Sequence, residues 1–164
     1  MLATHLLGLH ELTPNDLCHY IETRYYAQID ALLRSLDEHG KTMENNELTN
    51  DPLVMVSLML YTRLADECRQ IMRFDRQLIF PLVKSIAEVK DGRSLPKEAI
   101  SNQHERIMKL MDKLHKQAHN YVIQPGWSSE FKMFCDDAYS LEQCMQQAIY
   151  LKENLLIPKM DLPQ

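Results

Sequence analysis

Two polar residues lie on stripes that should be apolar. In the segment that opens near Ser94 and Pro96, Ile100, His104, Ile107, Met111, Leu114 and Ala118 alternate steps of four and three, so His104 holds a seam position. In the last segment Phe131, Phe134, Ala138, Leu141, Met145, Ala148, Lys152 and Leu155 do the same, which turns Lys152 inward. An inward imidazole is either a hydrogen-bonded core group or a metal ligand. A buried ammonium is costly unless paired. Lys152 therefore either packs its stem and sends its charge outward, or meets an acid across the fold. Asp75 and Glu67 are the candidate acids. The cysteines Cys18, Cys68, Cys135 and Cys144 form no CxxC pair and all lie within helical patterns. They read as small core residues in a reducing compartment, with zinc or thiol chemistry as the competing use. His5, His10 and His19 carry no assigned role. No phosphate loop, nucleophile elbow, HExxH or EF-hand pattern occurs.

The elements that position these residues are helices. Thr13-Pro14 with Asp16 marks a start, and Gly40 is the expected stop, with the helix reaching about Glu38. The polar stretch 41–50 reads as a loop. Asn50 or Asp51 caps a second helix with Pro52 in its first turn, and Leu53, Val56, Leu60, Glu67, Ile71, Phe74 and Leu78 mark its expected face. Phe80-Pro81 should end or kink it, with a short continuation to Val89 and a turn at Asp91-Gly92. Gln124-Pro125-Gly126 breaks the chain before the fourth helix, which Pro158 should end. Long helices with short connections predict an all-α, up-down-up-down antiparallel four-helix bundle over 1–164, with 1–12 as a short extension.

The chain has 164 residues, four glycines and a net charge of −5 with both signs interspersed. There is no basic stripe, so a nucleic-acid partner is not expected. No apolar run suits a membrane span and the N-terminus lacks a basic n-region, so a cytoplasmic location is expected. Ten methionines at helical spacing suit core filling. Tyr25, Tyr26, Trp127 and Tyr150 fit bundle packing or an exposed aromatic patch.

Three strings carry a resemblance: RQLIFPLV (Arg76–Val83), NQHERIMKLMDKLHKQAHNYVIQP (Asn102–Pro125) and AIYLKENLLIPKM (Ala148–Met160). With LCHYIETRYYAQI (Leu17–Ile29) they resemble the hemerythrin-like family, nearest to its di-iron iron-sulfur cluster repair proteins, which are implicated in recovery from nitric oxide and oxidative damage. The family pattern reads HxxxEE-QILFP, HDE and HxxLENNxLFP, with DHIxxRYHxxH in the first helix. The resemblance covers roughly residues 15–160. It implies a bundle holding two irons through histidines and bridging carboxylates.

Matched residue by residue, the ligand set is mostly replaced. Tyr20, Ile71, Ala148 and Lys152 stand at ligand positions, and Asp75 stands for a bridging glutamate. His104 is retained, and His39 fits with a shifted register. The remnants are His104, His39, Asp75 and Glu67, with Glu153 beside Lys152. An ammonium where a carboxylate bridged two cations inverts the local charge.

The expectation is thus a non-catalytic relative without cofactor, a binding or regulatory protein. In it Lys152 pairs with Asp75, helped by Glu67 or the Tyr20 hydroxyl, and His104 is a neutral imidazole. The alternative is an iron-binding repair protein of the nitric oxide stress response with an altered di-iron site. A thiol sensor is the third reading. A homodimer and a protein partner stay open.

Overall fold

The computed structural model describes residues 8–89 and 92–161. His5, residues 1–7 of the expected extension, and Asp91 of the expected turn lie outside the described residues. Among the described residues there is no strand, and four long helices make a helical bundle. Helix α1 (14–45) joins Pro14–Ile21, a π turn over Glu22–Tyr26, and Ala27–Asn45. Helix α2 (52–89) joins Pro52–Phe74, a π turn over Asp75–Ile79, and Phe80–Val89. Helix α3 is Lys97–Gln117, and α4 (129–161) joins Ser129–Leu151, a π turn over Lys152–Leu156, and Ile157–Asp161.

The starts follow from side-chain caps. Thr13 Oγ1 accepts from the Asp16 N–H at 3.1 Å, Asp51 Oδ1 from the Leu53 N–H at 2.9 Å, and Ser128 Oγ from the Phe131 N–H at 3.1 Å. The ends differ from expectation. Gly40 stops nothing: it stays helical and buried, and α1 runs on to Asn45 because Met43, fully buried, rewards one more turn. Glu47, at φ +60°, provides the left-handed residue that turns the chain. Residues 41–45 of the expected loop are therefore helix.

Neither Pro81 nor Pro158 ends its helix. A proline ring lacks a donor and crowds the carbonyl one turn back. Here the turn ahead of each proline widens by one residue. The Phe80 N–H reaches back to Asp75 O, and the Ile157 N–H to Lys152 O. The helices continue past both rings.

The seams expected for α3 and α4 are buried at every member, His104 and Lys152 included. The face expected for α2 is rotated. Its core residues are Val54, Ser57, Leu58, Tyr61, Leu64, Ala65, Cys68, Ile71, Met72, Asp75, Ile79, Val83 and Ile86, whereas Leu78 is 46% exposed. Tyr25 and Tyr26 are core residues, and Tyr150 is exposed. Helix α1 packs along α4 and α2 along α3, and the first segment of α1 meets the last segment of α2. Among the described residues no helix is long and apolar enough to cross a membrane.

Candidate functional site

Three π turns lie in three of the four helices, and each contributes to one buried polar cluster. Tyr26 closes the first turn, Asp75 opens the second and Lys152 opens the third. A π turn adds one residue to the helical count and re-aims the side chains around it. In α2 and α4 the following proline explains the widening. The strings DRQLIFP and KENLLIP are thus equivalent pieces of helix, one opening with an acid and the other with a base.

The two ends meet. Lys152 Nζ donates to Asp75 Oδ2 at 2.6 Å, with the side chains 1% and 0% exposed. The Tyr26 hydroxyl donates to the same oxygen. Tyr26 is itself fully buried, stacked on Phe80 with ring centroids 5.9 Å apart. Its outer side is covered by the Arg76 guanidinium, 5.7 Å from the ring centroid. Arg76 is fixed by a fork on Glu22, at 2.7–3.0 Å, and by Asp30 at 2.9 Å. Burial, then the Asp75 charge, raises the Tyr26 phenol well above its ordinary range, so it stays a donor.

His104 on α3 borders the cluster. Its Nδ1 is 2.7 Å from Glu153 Oε1, and a carboxylate can only accept there, so Nδ1 carries the proton. Burial first, then the Lys152 charge, lowers its pKa, with Glu153 opposing. The imidazole is held neutral. Its Nε2 and Asp75 Oδ1 are buried without a partner among the described residues. Glu153 is 47% exposed, so the bonded side of the imidazole faces the surface.

The other expected site residues go elsewhere. Tyr20 packs edge-on against Tyr25, at 5.9 Å between centroids, and Tyr26 is the tyrosine that reaches Asp75. Glu67 faces Arg106 at 3.6 Å rather than Lys152. His39 lies roughly 20 Å beyond Tyr26 along α1 by helical rise. Its Nδ1 meets Glu130 at 3.1 Å and its Nε2 meets Asp137 at 3.2 Å, so it belongs to a separate α1–α4 contact with Ser35. Ile71 and Ala148 are fully buried.

The remaining donors fit a di-iron centre poorly. Asp75 Oδ2 is committed to Lys152 and Tyr26, and His104 Nδ1 to Glu153. A cation beside the ammonium would be repelled. Among the described residues no group of three or more His, Cys, Asp or Glu side chains is arranged to hold a metal ion.

The thiols are equally guarded. All four cysteines are buried and free. Burial, then the Asp75 charge, pushes the Cys18 thiol up to about 12, while Lys152 opposes. Burial pushes Cys68 and Cys135 up to about 12 as well, and raises Cys144. A reactive cysteine needs the opposite shift.

A second polar knot was not legible in the sequence. Glu142, 3% exposed, accepts from the Tyr121 hydroxyl at 2.9 Å and meets His115 Nδ1 at 3.1 Å. It anchors a turn in which His119, Asn120 and Tyr121 all take positive φ, at 53°, 56° and 60°. Three successive left-handed residues without glycine are strained, and the knot holds them.

No family model matches the chain, and no curated protein matches it either.

Proposed function

We propose that this chain is a hemerythrin-like, up-down-up-down antiparallel bundle in which a lysine–aspartate pair stands where the family carries its irons. It acts without iron and without catalysis, as a cytoplasmic binding or regulatory protein. The observation that carries the reading is the Lys152–Asp75 contact at 2.6 Å, with Tyr26 on the same oxygen. The contact gives the retained acid a partner inside the bundle without a metal ion. The antiparallel topology is supported by the meeting of the first segment of α1 with the last segment of α2 and with the π turn of α4. Four free thiols suit a reducing compartment. A net charge of −5 favours a protein partner over nucleic acid.

One observation favours the second reading, an iron-binding repair protein with an altered site. Asp75 Oδ1 and His104 Nε2 are both metal donors, and both lack partners among the described residues. Anaerobic incubation with ferrous iron, desalting, metal analysis and an absorption spectrum decide between the two. The metal-free reading expects far less than one iron per chain. Tightly held iron with a near-ultraviolet oxo-bridge band overturns it.

A further inference from the structure

We propose that Lys152 and Asp75 condense into an intramolecular amide, a covalent bridge from α4 to α2. The contact distance of 2.6 Å and the 1% and 0% exposure put the two groups together out of water. Both are seated on helices, at the first residue of matching π turns, so their encounter requires no loop to close. The hydrogen bonding is one-sided. Lys152 Nζ and the Tyr26 hydroxyl both donate to Oδ2, while Oδ1 has no partner among the described residues. Two donors on one oxygen give the Cγ–Oδ2 bond single-bond character and leave Oδ1 carbonyl-like. That is the polarisation of a carboxyl group about to lose Oδ2.

The step needs no further reactant. A proton passes from Nζ to Oδ2 along the existing hydrogen bond, giving an amine and a carboxylic acid. The Nζ lone pair attacks Cγ, and the Nζ–Cγ bond forms. Tyr26 delivers its hydroxyl proton to the departing oxygen, the Cγ–Oδ2 bond breaks, and Oδ2 leaves as water. The proton displaced from Nζ returns to the Tyr26 oxygen. Ammonium and carboxylate have become one amide and one water, and Tyr26 is regenerated as a positioned general acid. The product also relieves the site, because an unpartnered buried amide carbonyl is less costly than an unpartnered carboxylate oxygen.

The amide rests on the geometry of this pair and not on the family reading, so the two can fail separately. Mass spectrometry of the denatured full chain, followed by protease digestion, decides it. The expected result is a mass one water below that of the sequence, with the deficit localised to a branched peptide joining the segments around Asp75 and Lys152. Lys152→Arg has the full mass. Tyr26→Phe gives a mixture of full and reduced mass soon after synthesis, shifting to the reduced form with incubation. A wild-type chain at full mass after prolonged incubation overturns the amide and leaves the ion pair standing. A deficit that persists in Lys152→Arg overturns it as well. The wild-type readings do not depend on any variant folding.

Discussion

Lys152 and Asp75, joined at 2.6 Å in the core, open π turns of the same build, each followed by a proline that the helix passes without breaking. The acid and the base are therefore placed by the same local device on two different helices. Removing one partner leaves the other buried and uncompensated. Lys152→Met is expected to cost roughly 3–5 kcal/mol. Adding Asp75→Leu to it should recover most of that loss, because apolar replacement of a whole buried pair is often neutral. Urea denaturation of both variants and of wild type at full mass, with the pair still ionic, checks this. A single-variant loss of less than about 0.5 kcal/mol, the scale of surface changes, would show that the pair is not buried as described.

The same geometry makes the hemerythrin-like reading testable by gain of function. Ile71, Ala148 and Lys152 all point into the core, at 0%, 0% and 1% exposure. Ile71 and Asp75 are one turn apart, as are Ala148 and Lys152, so replacements there face one space. The triple change Ile71→His, Ala148→His, Lys152→Glu is expected to bind iron that the wild type does not retain. Metal analysis after desalting gives the result, and an equally iron-free triple variant counts against the hemerythrin-like reading.

Thiol reactivity provides a third check. With burial raising all four cysteines, native protein at pH 8 should label at a small fraction of the rate seen after denaturation, when all four react. One cysteine labelling in the native fold as fast as in the denatured chain would reopen the sensor reading.

The Glu142 knot predicts a pH dependence. Burial raises its carboxyl above the ordinary 4.5, against the opposing bonds of Tyr121 and His115 and with Asp112 adding to the rise. A raised folded pKa means a contribution fully present below the unfolded value and lost as pH rises through the folded one. Glu142→Gln keeps an acceptor for Tyr121 and removes the titration. Its stability relative to wild type should therefore climb as pH rises from about 4.5 towards neutrality. Melting curves across that range test the sign, and a relative stability that falls with rising pH contradicts it.

The sequence was most legible where a single helical period runs without interruption. The seams of α3 and α4 could be read directly, including the two polar members that define the site. Helix α2 was harder, because Ser57, Tyr61 and Cys68 occupy its core face while Leu53 and Leu60 lie partly outside it. Hydrophobicity alone ranks those residues the other way. Tyr26 was missed for a different reason. It is buried beside buried Tyr25, as neighbouring residues of these helices often are, so nothing in the period singles out its hydroxyl as the partner of Asp75. The signal that could have found it is the match between DRQLIFP and KENLLIP, which marks two widened turns and invites a search for a third.

Each π turn is one residue longer than the helix around it requires. Loss of one codon within Lys152–Leu156 would leave α4 helical but rotate the parts on either side of the lesion by about 100°. Such a deletion keeps the helix and dismantles the site. The residues of α4 on the two sides of the lesion would then no longer share the face that buries them.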